Sequence, residues 1–276
     1  MNTPFYERLR TAQRTNDSLV CVGLDTDPSR LPSSLQSQTD AVVEFNRKII
    51  DATHDLVCAY KLNLAFYEAL GDRCWDTIHR TLQYIPQEVV TIADAKRGDI
   101  GNTATMYARS MFDDFQFTAT TVNPFMGKDS VAPFLVNPAR GTFVLALTSN
   151  PGARDFQYMR FNKKPLYEHI AARVKKWNAK KNCGLVVGAT RSRELQRLRA
   201  IVPQMPFLIP GVGTQGGNLR SAVRYGCDKH GAIAVINASR SVLYASAGDD
   251  FADAARDAVI SLRAEINILR AKYFKK

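Results

Sequence analysis

Eight short apolar runs, separated in most cases by longer amphipathic stretches, constrain this chain more than any other feature of its sequence. The runs are Leu19–Leu24, Val57–Leu62, Val89–Ala93, Ala119–Val122, Thr142–Leu147, Gly184–Ala189, Pro206–Ile209 and Ala232–Ile236. Most are rich in β-branched residues, and they are near-continuously apolar rather than alternating, as expected of parallel strands covered on both faces. Helical periodicity occupies residues 39–54, 73–84, 101–113, 164–181, 192–201, 216–226 and 250–272, with a weaker pattern over 127–137. The segment Pro4–Arg14 reads as an extra helix covering the start of the array. Eight strand–helix units predict a single (β/α)8 barrel with an additional N-terminal helix. The 276 residues suit one such barrel, which typically takes about 250. No linker, low-complexity tract or close internal repeat divides them, so one catalytic domain spanning 1–276 is expected.

Almost every run ends in polar residues. These are Asp25, Lys61 with Asn63, Asp94 with Lys96, Asn123, Thr148-Ser149-Asn150, Thr190, the Pro210–Gly217 segment with Gln215, and Asn237-Ala-Ser239-Arg240. In a barrel these ends converge on the C-terminal face, where active sites lie. The third run is the most informative. Asp94 and Lys96 lie two positions apart and, on a regular strand, point the same way, with Asp99 following just past the strand end. Two carboxylates bracketing one ammonium at the mouth of a buried strand are costly to desolvate, and such clusters mark functional sites. At the other end of the array, Pro210–Gly217 contains four glycines and opens into a helix, so backbone N–H groups can face an anion. Arg240 would add a charged fork for phosphate oxygens.

The net charge of +11 is compatible with nucleic acid, an anionic surface or a phosphorylated small molecule. The excess is dispersed into short pairs, and no zinc-finger, helix-turn-helix or RNA-recognition motif is present, so a phosphorylated small molecule is expected and nucleic acid is not. The pairs Lys175-Lys176 and Lys180-Lys181 read as the solvated face of a helix ending at Asn182-Cys183-Gly184. Five cysteines without a C-x-x-C pair, three of them in or beside apolar runs, suggest reduced thiols in a reducing compartment. The four histidines show no metal-ligand spacing, so no metal site is expected. The first residues carry Glu7, Arg8 and Arg10 without an apolar core, and no run approaches the ~18 apolar residues of a membrane span. A soluble cytoplasmic protein without membrane attachment is expected.

With these residues in order, the chain resembles the orotidine 5′-monophosphate decarboxylase family in its longer bacterial (type 2) form. The resemblance rests on Gly23-Leu-Asp25, Ala59-Tyr-Lys61-Leu-Asn63, Asp94-Ala-Lys-Arg-Gly-Asp-Ile-Gly-Asn-Thr103, Asn123-Pro-Phe-Met-Gly-Lys-Asp-Ser130, Thr148-Ser-Asn-Pro-Gly152, Val186-Val-Gly-Ala-Thr190, Pro210-Gly-Val-Gly-Thr-Gln215 and Asn237-Ala-Ser-Arg240. It implies that Lys61, Asp94, Lys96 and Asp99 form an alternating charged array, with Lys96 as proton donor to C6 of the pyrimidine and no cofactor. It also implies that Asp25 and Lys61 hold ribose hydroxyls, that Ser149 contacts the pyrimidine amide edge, and that Gln215 and Arg240 bind phosphate. Asp99 and Thr103 would reach into the neighbouring site of a homodimer, and Ser149–Phe161 would be a lid. Thr214 and Asn218 depart from the family pattern, where alanine and an acidic residue are expected; both flank the phosphate loop rather than the charged array. Two other readings remain open: a Mg²⁺-dependent sugar-phosphate aldolase or decarboxylase on the same barrel, and a nucleotide- or RNA-binding protein using the positive charge.

Overall fold

The computed structural model describes residues 3–189, 192–212 and 218–274. Eight strands form the barrel: β1 Val20–Gly23, β2 Ala59–Asn63, β3 Val90–Arg97, β4 Ala119–Val122, β5 Gly141–Leu147, β6 Cys183–Val187, β7 Phe207–Ile209 and β8 Ala234–Ala238. All pairings between them are parallel, and the sheet closes in chain order, with β8 beside β1. Around it lie α1 Phe5–Thr15, α2 Ala41–Thr53, α3 Cys74–Gln83, α4 Gly101–Arg109, α5 Leu166–Trp177, α6 Ser192–Ile201, α7 Leu219–Gly226 and α8 Phe251–Tyr273. The expected (β/α)8 architecture is therefore present, with an outer apolar layer between strands and helices and a separate cluster inside the barrel.

Helix α1 closes the N-terminal mouth. It starts just after Pro4 and repeats apolar side chains at Phe5, Leu9 and Ala12, one face of a helix. That face joins Cys21, Ala59, Ile92 and Val235 in the inner cluster. Phe5 meets Phe143 of β5 edge-on, with ring centroids 5.8 Å apart. Room for the Phe5 ring depends on Gly141, where a Cβ would come within 2.5 Å of it. The buried Gln13 amide donates to the Ala234 carbonyl (2.8 Å) and accepts from Ile233 N–H (2.9 Å). Ile233 has φ +61°, a conformation that branched residues rarely adopt, so β8 begins at Ala234 rather than at Ala232.

Elsewhere the structure sharpens or corrects the sequence expectations. The weak helix over 127–137 is two short pieces, Lys128–Val131 and a 3-10 turn Ala132–Leu135 carrying Pro133. The helix expected over 101–113 ends as α4 at Arg109 and runs into a π-helical turn, Ser110–Asp114. The helix expected over 164–181 ends at Trp177, so Lys180 and Lys181 lie beyond it. Asn182 is buried, with its amide on the carbonyls of Leu135, Asn137 and Arg140. Cys183, the next residue, opens β6. All five cysteines are free and buried. No helix among the described residues is long and apolar enough to cross a membrane.

Candidate active site

The C-terminal ends of β1, β2, β3 and β8 surround a cleft of about 540 Å³, lined among others by Asp25, Lys61, Asp94, Asn237, Ser239 and Arg240. This is an ordinary size for a small-ligand site. Lys61 projects from β2 and is only 4% exposed. Its Nζ lies 3.1 Å from Asp25 Oδ1 and 3.4 Å from Asp94 Oδ2. Asp94 Oδ1 in turn accepts from Lys96 Nζ at 2.8 Å. The array therefore reads Asp25–Lys61–Asp94–Lys96. Among the described residues, the ammonium bracketed by two carboxylates is that of Lys61, not that of Lys96 as the spacing suggested. Asp99 accepts instead from Ile100 N–H (2.8 Å) and forms no ion pair with a described residue. Thr103 is exposed on the first turn of α4.

The charges set one another. Burial opposes the Lys61 ammonium, but Asp25 and Asp94 outweigh it and raise its pKa above the ordinary lysine value. Burial likewise favours the neutral Asp94 carboxyl, yet Lys61 and Lys96, with the Thr121 hydroxyl, hold it below the usual carboxylate range. Asp94 is thus an anion kept in place by two cations, and the Lys96 ammonium stands half exposed beside it.

Asp94 and Lys96 do meet, but regular strand alternation is not the reason. Pairing of β3 with β4 jumps from Ala93↔Thr120 to Arg97↔Val122, so β3 advances four positions while β4 advances two. The surplus forms a bulge, and Lys96 sits in it at φ +47°. Thr121 faces the bulge. Its hydroxyl donates to Asp94 Oδ1 (2.9 Å) and accepts from Lys96 N–H (2.9 Å). The sequence reading passed over Thr121; the available signal was a hydroxyl in an otherwise buried strand end.

Asp25 lies just past β1 and is held on its far side by Ser239, whose hydroxyl donates to Oδ2 at 2.8 Å. Asn237 Nδ2 donates to the same hydroxyl at 3.2 Å. Ser239 comes so close to Gly23 that a Cβ there would collide with its Oγ, which gives the glycine of Gly23-Leu-Asp25 a steric reason. Behind the β1 end, a buried network joins Thr26, Asn46, Tyr67 and Thr81, and Tyr67 donates to the Leu24 carbonyl at 2.9 Å. Tyr244 accepts from Asp27 N–H (2.8 Å) and carries the Arg30 guanidinium 3.7 Å above its ring. Nothing in the sequence pattern singled out Asn46 or Tyr244, because their role depends on strands and helices distant in the chain.

Arg240 begins the short helix Arg240–Leu243 at the rim. Ser149 follows β5 and packs against Gly188, just past the end of β6, where a Cβ would lie 2.9 Å from Ser149 N. Thr190, Thr214 and Gln215 lie outside the described residues. The Ser149–Phe161 segment is folded: it contains the helix Ala153–Phe156, and Arg160–Phe161 pairs antiparallel with Lys164–Pro165, so the excursion runs on to Pro165. Gln157 ties it to its root by accepting from Thr148 N–H at 2.8 Å. Among the described residues, no group of three or more His, Cys, Asp or Glu side chains is disposed to hold a metal ion.

A sequence model of the orotidine 5′-phosphate decarboxylase / HUMPS family matches residues 18–256. An orotidine 5′-phosphate decarboxylase of Dehalococcoides mccartyi (strain BAV1) is 47% identical over 273 residues, covering 98% of this chain and 99% of the relative. The solved structure of Leishmania donovani OMP decarboxylase superposes with a TM-score of 0.86 at 36% identity, covering 98% of this chain and 100% of that one. A Toxoplasma gondii structure described as a putative orotidine-monophosphate-decarboxylase gives a TM-score of 0.91 at 34% identity over the full length of both chains. The chain belongs to the orotidine 5′-phosphate decarboxylase / HUMPS family.

Proposed function

We propose that this chain is a carboxy-lyase that converts orotidine 5′-monophosphate to uridine 5′-monophosphate and CO₂, the last step of de novo UMP synthesis. The observation that carries the reading is the Asp25–Lys61–Asp94–Lys96 array at the mouth of the barrel. Full-length similarity to relatives named for this activity supports it.

Breaking the bond between C6 and the carboxylate leaves an electron pair on C6 with little delocalisation. A cation fixed before the substrate arrives stabilises that charge without reorganising. Lys96 fills this role: its ammonium is held by Asp94 and donates a proton to C6 as CO₂ departs. The neutral amine regains its proton from solvent. Asp94, an anion in the same cleft, lies where repulsion of the substrate carboxylate would favour its loss. Asp25 and Lys61 bind ribose hydroxyls, Ser149 the pyrimidine edge, and Arg240 with Gln215 the phosphate, whose remote binding energy supports the reacting centre. The lid over 149–161 closes on the bound nucleotide.

The active form is a homodimer in which Asp99 and Thr103 complete the partner's site. Supporting this, Asp99 has no lysine partner among the described residues of its own chain, and Ile100 and Met106 beside it are 56% and 47% exposed. The catalytic unit is a single domain, and five buried free thiols favour the reducing cytoplasm. The test is loss of orotidine 5′-monophosphate absorbance in EDTA. Turnover to uridine 5′-monophosphate establishes the reaction without an obligatory divalent metal. No turnover in EDTA, with a sugar phosphate consumed once Mg²⁺ is restored, overturns it.

A further inference from the structure

We propose that Thr121 is a positioning residue that sets the geometry of the Asp94–Lys96 pair, doing so from the one place where the β3–β4 ladder fails. The proposal rests on the decarboxylase reading for its kinetic consequence but not for its geometry. Asp94, Ala95 and Lys96 lie between the ladder pairs Ala93↔Thr120 and Arg97↔Val122, so their backbone lacks regular partners on β4. Thr121 is fully buried opposite this gap, and one hydroxyl serves both members of the pair. It accepts from Lys96 N–H, which holds a non-glycine residue at φ +47°, and it donates to the Asp94 oxygen that also receives the Lys96 ammonium. Backbone and side chain of Lys96 are thereby referred to a single atom. A hydroxyl can accept and donate at once; valine, of the same shape, can do neither.

The neighbouring Thr120 supplies an internal comparison. It is equally buried, but its hydroxyl donates only to the Ala93 carbonyl, below the bulge and away from the charged pair. Loss of that hydrogen bond affects stability alone.

Three variants, Thr121→Val, Thr121→Ser and Thr120→Val, separate the roles. Loss of a hydrogen bond to a charged group corresponds to about a 10- to 100-fold effect. Thr121→Val is therefore expected to lower kcat by about that factor with KM for orotidine 5′-monophosphate within about threefold, whereas Thr121→Ser and Thr120→Val stay within about threefold of the parent kcat. A second readout needs no turnover. The Asp94 carboxyl, followed by carbon-13 NMR titration and assigned with Asp94→Asn, titrates at higher pH in Thr121→Val than in the parent and returns in Thr121→Ser. Should the parent fail to decarboxylate the nucleotide, the functional reading falls and this titration still decides the role of Thr121. A parent-like Asp94 titration in folded Thr121→Val overturns the proposal. So does an equal loss of kcat in Thr121→Ser, or in Thr120→Val; if Thr121→Val does not fold, the serine and Thr120 variants make the decision.

Discussion

Replacing Lys61 by methionine tests the charged array as a physical object, independently of any substrate. The ammonium is 4% exposed and touches Asp25 at 3.1 Å and Asp94 at 3.4 Å. At an effective dielectric of about 20, each contact is worth roughly 5 kcal/mol of Coulomb attraction, most of it offset by the desolvation of the three groups. Removing one member of a buried pair typically costs about 3–5 kcal/mol, because the remaining charge stays buried. Here Asp25 keeps the Ser239 hydroxyl, and Asp94 keeps Lys96 and Thr121. The lower end, about 3 kcal/mol at pH 7, is therefore expected, or roughly a 6 °C fall in Tm for a chain of this length. Urea unfolding at fixed protein concentration measures it.

The pH dependence has a definite sign. In the parent, the folded Asp94 carboxyl lies below its unfolded value, so its contribution is present above about pH 4 and is lost as pH falls through the lower folded pKa. The Lys61 pKa is raised, so its contribution is complete below about pH 10 and is lost only as pH rises through the higher folded value. Without Lys61 the Asp94 carboxyl moves upward and protonates more easily. The gap between parent and variant is thus widest near neutrality and narrows below about pH 5. A Lys61→Met protein as stable as the parent at pH 7, or a penalty that does not change between pH 7 and pH 4, would refute the reasoning.

Three further outcomes are expected. Lys96→Ala, at a half-exposed position, keeps the parent Tm within about 2 °C but loses more than about 10⁴-fold in kcat/KM, combining lost proton donation with lost anion stabilisation; near-normal turnover by the purified variant excludes the catalytic assignment. Arg240→Ala, at the rim, raises KM for the phosphorylated nucleotide by about 10- to 100-fold in steady-state assays. Phe5→Ala, far from the cleft, empties the N-terminal plug of the barrel and costs about 3–5 kcal/mol in urea unfolding, while kcat at low temperature stays near that of the parent.

The barrel was legible because its signal is local. An apolar run flanked by helical periodicity records burial on both faces wherever it occurs, and eight such runs admit few architectures. The same local logic put Asp25, Lys61, Asp94, Lys96 and Arg240 at strand ends, and hence on one face. It placed the extra helix Phe5–Thr15 almost to the residue, since its apolar repeat and leading proline are in the segment itself.

Tertiary structure decided what depends on residues far apart in the chain. The spacing of Asp94 and Lys96 allowed a regular strand, but only pairing with β4 creates the bulge, turns Lys96 to positive φ and makes Thr121 the shared partner. How closely β1, β2 and β3 are packed decides that, among the described residues, Lys61 is the ammonium lying between two carboxylates, a contact that sequence proximity does not record. Gly23 is a glycine because Ser239, over two hundred positions later, needs the space of its missing Cβ. A sequence records the burial and polarity each residue prefers; which two of them share a hydrogen bond is settled only when strand register brings them within 3 Å.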